Sequence, residues 1–300
     1  MRRRGLGGVC GRGALVVLVV LLGAAAGCPP ARVGVPPRDA EDALLRISDN
    51  LSGLGAPLIC KGLVSFRFRD ESGNMRRFIA HPTTIVFHTP QSLYFDIKDA
   101  IGGSVARIGS NNERYWIWID VPDSRRLMWG EWSRVAELPP ERIPLPPGDL
   151  LDALCLRPPG AGVLSSPFVL RRGESDEWDQ RLVQLRMDAV GRPVALREVR
   201  LDPEPPYQPI RILDRGPDGK IVMDAEVGQY RRVGDGGPFI PRRYVVTWPV
   251  RDAELRLDVG DAVLRPEMPD VFEFPRQFSG RVDALDDPPL PPLSPDESAP

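Results

Sequence analysis

The side chains best suited to acid-base, metal or nucleophilic chemistry are scarce in this chain. Among its 300 residues there are two histidines, His81 and His88, and four cysteines, Cys10, Cys28, Cys60 and Cys155. The histidines lie seven residues apart in a stretch of alternating apolar and polar residues, which predicts one strand with the two rings on opposite faces. Neither a zinc site nor a base beside a nucleophile fits that spacing, because both need convergent groups. A strand histidine with a local hydrogen bond is the simpler reading. The sequence contains no Walker A loop, no G-x-S-x-G and no C-x-x-C. Carboxylates are abundant, and the run Glu174, Asp176, Glu177, Asp179 reads as a solvated loop. The residues therefore name no catalytic group, no metal ligand and no cofactor.

One cysteine is placed for covalent chemistry. Four arginines (Arg2, Arg3, Arg4, Arg12) precede an apolar run from Ala14 to Gly27, and no acid interrupts either segment. This is the layout of an export signal. The run is shorter than the roughly 20 apolar residues that span a bilayer, and it leads directly into Pro29-Pro30. Its end, Ala25-Ala26-Gly27-Cys28, resembles the bacterial lipobox, whose cysteine receives a diacylglyceryl group before cleavage and an amine-linked acyl chain after it. The resemblance implies a signal peptide over residues 1–27 and a lipidated Cys28. An ordinary secretory signal is the alternative. Pro29 follows the cysteine where an Asp would favour inner-membrane retention, so the resemblance implies the outer membrane, with the chain facing the periplasm. Cys60 and Cys155 remain in the body, where an oxidising compartment permits a bridge. Two buried free thiols are the other reading.

Composition narrows the partners. Removing residues 1–27 takes away four arginines and no acid, so the formal charge falls from −2 to −6, with 35 Lys and Arg against 41 Asp and Glu. An acidic body is poorly suited to nucleic acid. Apolar residues make up 42% of the sequence, enough for a buried core at this length.

The elements follow from periodicity. Residues 28–38 are proline-rich and predict an extended spacer between lipid and domain. Asp39 is placed to cap a helix to about Gly53, with Leu44, Ile47, Leu51 and Leu54 on one face. The period then changes to two. Val64, Phe66 and Phe68 alternate with polar neighbours, Ser72-Gly73-Asn74 supplies a turn, and Arg77 to Phe87 returns. Further strands are expected at Ser92 to Lys98, Ser104 to Ile108, Arg114 to Asp120 and Arg126 to Trp129. Within Tyr115-Trp116-Ile117-Trp118-Ile119 the odd positions face one way and the tryptophans the other. A proline-rich stretch leads to a short helix with Leu150, Leu151 and Leu154 on one side. Strands resume at Arg181 to Met187, Pro193 to Leu201, Lys220 to Val233, Arg242 to Trp248 and Ala253 to Leu257. Mainly β, with few helices and about ten antiparallel strands, the chain is expected to form one strongly curved sheet or open half-barrel with helices over its concave face. The folded domain is expected over residues 39–278, and a disordered, acidic, proline-rich tail over 279–300.

In this order the pieces resemble the LolA/LolB-like periplasmic lipoprotein-trafficking family, and LolB more closely because of the lipobox. The segment Ser92 to Ser104 looks like that family's strand, apolar-tipped loop and returning strand. Ile143 to Leu154 is similar to its proline-led lid helix, Pro238 to Tyr244 with Leu255 to Leu257 to its final strands, and Val271 to Pro275 to a common ending. The resemblance implies a membrane-engaging loop at Ile101, Gly102 and Gly103. It also implies an acyl-binding cavity lined by Leu150, Leu151 and Leu154 from the lid and by inward strand residues such as Phe66, Phe95 and Ile117. Acylated lipoproteins or lipids are then the implied partners, with a soluble periplasmic carrier as an implied donor. Exposed acyl chains cost about 0.8 kcal/mol per methylene, so carrying them needs a hydrophobic cavity and no catalyst. Two other readings stay open: a non-transporting sensor or scaffold lipoprotein that binds a protein partner, and a hydrolase using paired carboxylates.

Overall fold

The period-two pattern resolves into strands β1 (Leu58–Arg69), β2 (Met75–His88), β3 (Ser92–Lys98), β4 (Ser104–Ser110), β5 (Arg114–Ile119), β6 (Arg126–Glu131), β7 (Phe168–Arg172) and β8 (Gln180–Met187). The second half of the chain supplies β9 (Pro193–Leu201), β10 (Pro209–Arg215), β11 (Ile221–Gly228), β12 (Arg231–Arg232), β13 (Phe239–Ile240), β14 (Arg243–Trp248), β15 (Ala253–Leu264) and β16 (Arg281–Ala284). The computed structural model describes residues 34–69, 73–121, 125–137, 145, 147–160, 167–173, 179–188, 190–267, 270–275, 278 and 280–286. The signal segment 1–27, Cys28 and residues 287–300 of the expected tail lie outside the described residues. The chain divides between Val35 and Pro36, and the strands and helices described belong to the unit from Pro36 onward.

One open sheet holds fourteen of these strands, in the order β16-β6-β5-β4-β3-β2-β1-β15-β14-β11-β10-β9-β8-β7; β12 and β13 pair separately. About ten strands were expected, and the difference has physical causes. On β10, Asp214 lies two residues from Ile212 and is buried like it, so a charge interrupts the apolar alternation. β7 is only five residues long. β16 falls within the stretch expected to be a disordered tail. It pairs parallel to β6, an exception in an otherwise antiparallel ladder and a contact that local pattern cannot reveal.

Cross-strand register explains the core. Cys60, Ile85, Phe95, Ile108, Ile117 and Met128 face one another in sequence across β1 to β6. A second row runs through the other half, from Phe66 on β1 through Leu255, Val246, Ala225, Ile212 and Val199 to Leu182 on β8. Both rows belong to one apolar cluster with two helices of the described residues, α1 (Ala40–Ser52) and α2 (Pro147–Ala153).

Helix α1 begins where the sequence predicts. Asp39 caps it by accepting from the Asp42 N–H at 2.9 Å, Glu41 and Asp42 complement the helix dipole, and Ala43 and Ile47 are buried. Asn50 fixes its far end, donating to the Phe239 carbonyl and to Gln208 Oε1 and accepting from the Phe239 N–H.

The opposite face of β4 to β6 has a cover of its own. Trp116 is buried yet lies outside the main cluster, and Phe274 from the C-terminal segment meets both Trp116 and Trp129 edge-on at 5.7 Å. The Arg114 guanidinium lies over Trp129 and Phe274. The indole of Trp116 rests on its cross-strand partner Gly109, where an added Cβ would stand 2.2 Å from the ring. Gly109→Ala is accordingly expected to destabilise the fold by about 2–3 kcal/mol through displacement of Trp116. A urea titration checks this, and an unchanged midpoint would show that the indole is not held there.

Candidate functional site

Ile101 sits at the tip of the β3–β4 turn with 93% of its surface exposed. The turn is held from beneath. Asp99 Oδ1 accepts from the Ile101 N–H at 3.0 Å and the Gly103 N–H at 2.8 Å, and Gly102 takes a φ of +93° that favours glycine. The side chain does not fold back onto the core; it points into solvent from a fixed loop.

The strand residues expected to line the interior share one face. Phe95 and Ile117 are fully or nearly fully buried, and Phe66 packs half-buried against the same cluster. Leu150 and Leu151 on α2 and Leu154 just beyond it are at most 1% exposed. The space expected for acyl tails is therefore occupied here by these leucines. A cavity of about 10 Å³ remains between α1, α2 and the sheet, lined by Ile47, Asp152, Cys155, Arg157, Arg197, Val199, Gln208 and Ile212 among others. That is room for one water molecule. An open groove of about 720 Å³ runs between the start of α1 and β7, lined by Arg38, Asp39, Glu41, Phe168, Val169 and Arg172.

A charged tie under α2 was not read from the sequence. Asp152 on the helix pairs with Arg157 and, at 2.6 Å, with Arg197 on β9. Arg197 also holds Asp214 on β10 through two bonds of 2.6 and 2.7 Å. Burial alone would lower the Arg197 pKa, but the Asp152 and Asp214 carboxylates overcome that and hold it above its ordinary value. Asp149, one turn before Asp152, is pushed up to about 7 by burial, reinforced by Asp214 and Asp152 and opposed by Arg251 and Arg197. The only sequence signal was a pair of acids, Asp149 and Asp152, inside an apolar helix.

Cys60 and Cys155 are both free and buried, and burial pushes each thiol up to about 12. Of the two sequence readings, the structure shows the unbridged one. His81 Nδ1 lies 2.7 Å from the Lys98 carbonyl, the local hydrogen bond of a strand histidine.

No family model matches the sequence, and no curated protein matches it. The structure is similar to a DUF1329 family protein from Desulfovibrio piger, with a TM-score of 0.49 at 13% identity over 78% of this chain and 95% of that one. It is also similar to a putative outer membrane lipoprotein-sorting protein domain from Vibrio parahaemolyticus, with a TM-score of 0.46 at 12% identity over 77% of this chain and 95% of the other. A LolA superfamily protein from Nitrosomonas europaea has a TM-score of 0.46 at 14% identity, over 77% of this chain and 97% of its own.

Burial of Asp149 makes stability depend on pH. A carboxyl whose folded pKa is about 7 binds its proton more tightly in the folded chain than in the unfolded one, where it titrates near 4. The folded state thus holds the extra proton between these values, and stability falls as pH rises through that window. Between about pH 5 and pH 8 the loss is expected to be roughly 2 kcal/mol, discounted for the carboxyl's remaining solvent contact. Urea midpoints measured across this range check it. Asp149→Asn should flatten the fall and be the more stable form at the alkaline end, and equal slopes for the two proteins would contradict the assignment.

Proposed function

We propose that this chain is a lipid-anchored protein of the outer membrane that faces the periplasm, receives the acyl chains of lipoproteins or lipids beneath α2 and passes them to the membrane. The reading is non-enzymatic. Cys28 supplies the anchor, and a soluble periplasmic carrier serves as donor. One observation carries it. Two apolar rows crossing the sheet share one buried cluster with Ala43 and Ile47 of α1 and with Leu150, Leu151 and Leu154 on and just beyond the seven-residue α2.

Magnitudes decide whether such a cover can yield. Exposing Leu150, Leu151 and Leu154 costs about 5–9 kcal/mol, at about 1.5–3 kcal/mol per side chain. Burying a palmitoyl-length chain returns about 12 kcal/mol, at about 0.8 kcal/mol per methylene. A long chain therefore outcompetes the leucines for the sheet face, and a short one does not. Direction comes from successive differences in affinity among donor, sheet face and bilayer, and Ile101 engages the bilayer in the final step. The cavity of about 10 Å³ favours a second reading, a scaffold or sensor with no transfer.

Titration of the unacylated Cys28→Ser protein with fluorescent fatty acids separates the two. Saturable uptake of a palmitoyl-length probe is expected, with an octanoyl-length probe at least tenfold weaker. Asp152→Asn, which loosens α2, should speed uptake. A folded protein that takes up neither probe would overturn carriage in favour of the scaffold.

A further inference from the structure

The turn that presents Ile101 has a twin. Asp99-Ala100-Ile101-Gly102-Gly103 joins β3 to β4, and Asp188-Ala189-Val190-Gly191-Arg192 joins β8 to β9. Their hydrogen bonds match. Asp188 Oδ1 accepts from the Val190 N–H at 3.0 Å and the Arg192 N–H at 2.8 Å, as Asp99 Oδ1 does from Ile101 and Gly103. In each loop the Asp N–H donates to the fifth residue's carbonyl and the glycine N–H to the Asp carbonyl. Gly191 has a φ of +77°, against +93° at Gly102. Both loops drive a β-branched apolar side chain into water, and Val190 is 73% exposed.

The twins share a rim. Antiparallel register places the turns after β1, β3, β5, β8, β10 and β14 at one end of the sheet. At the other end Pro37 and Arg38 are held by Arg172 and Gln180. Ile79, Met187 and Val250 are exposed on the same rim as Ile101 and Val190. Among the described residues, the opposite-rim turns at 89–91, 111–113, 202–208 and 229–242 present no exposed large hydrophobic side chain. Exposed Arg76 and Arg77 precede Ile79 on β2, and Arg192, which pairs with Asp188 at 2.9 Å, closes the Val190 turn. In a chain of net negative charge, apolar tips with exposed arginines on the same rim are matched to anionic headgroups.

We propose that Val190 is a second membrane-contacting residue, so that this rim docks on an anionic lipid bilayer at two points, the Ile101 tip and the Val190 tip. The choice of a bilayer rests on the delivery reading above; the duplicated geometry does not. Six strands separate β3 from β9, about 35 Å along the sheet at about 4.8 Å per step. Two contacts so far apart fix the orientation of the rim, where one tip would let it swivel, and the second contact forms at a high effective concentration.

Flotation of the Cys28→Ser protein with vesicles of phosphatidylcholine, alone or mixed with phosphatidylglycerol, tests this. The protein is expected to float with the mixed vesicles. Val190→Glu and Ile101→Glu should each weaken binding about tenfold and together about a hundredfold, with circular dichroism unchanged. Val190→Asn should weaken it in the same direction. If Val190→Glu floats like the parent while Ile101→Glu does not, the proposal is overturned and the single-loop reading stands. If both tips are needed but no fatty-acid probe is taken up, the rim stands and carriage falls. Failure to float with either vesicle overturns the rim, and equal flotation with both removes the anionic preference.

Discussion

An open sheet of fourteen strands has one face that water must not reach, and the rest of the structure depends on covering it. The rows from Cys60 to Met128 and from Phe66 to Leu182 run across nearly the whole sheet. Helix α1 contributes Ala43 and Ile47 to the cluster on that face, and α2 with the residue just beyond it contributes Leu150, Leu151 and Leu154. A seven-residue helix has no stability of its own in water, so α2 exists because the face is there to receive it. The dependence is mutual. Near the β16 edge the C-terminal segment completes the arrangement on the other side, where Phe274 packs on two tryptophans and Asp286 Oδ2 accepts from the Glu131 N–H at 2.7 Å.

The charges beneath α2 are explained better by position than by stability. Apolar contact is non-directional, and three leucines on an apolar face tolerate small shifts along it. Asp152 removes that freedom by pairing with Arg157 beside it and with Arg197 on the sheet, which in turn is fixed by Asp214. Buried pairs of this kind contribute little net stability, because desolvation offsets their attraction, while leaving one partner unpaired is costly. Losing any one partner would leave a buried charge uncompensated, so the tie fixes where α2 sits on the sheet.

Periodicity revealed what is local. The Asp39 cap, α1, the β1–β2 hairpin and the leucine face of α2 were all legible because their determinants lie within a few residues of one another. Whatever depends on partners far along the chain was hidden. β16 finds β6 from more than 150 residues away, and Asp214 is an inward charge that makes sense only beside Arg197. The same holds for the interior. Sequence identified Phe66, Phe95, Ile117 and the three leucines as inward-facing, but not that the leucines would fill the space between them.

The duplicated turn shows how a local signal can be legible and still be passed over. Asp-Ala-Ile-Gly and Asp-Ala-Val-Gly stand openly in the sequence, yet each alone reads as an ordinary hairpin tip. Their meaning comes from the ladder, which carries both to one rim. The aspartate in each turn matters physically because it fixes the loop before any contact is made. A preformed tip loses little conformational entropy on docking, so more of the apolar gain remains as affinity. β3 and β4, which raise Ile101, also contribute Phe95 and Ile108 to the covered face, and β8 and β9, which raise Val190, contribute Leu182 and Val199. The two tips and the covered apolar face are thus built on the same two pairs of strands.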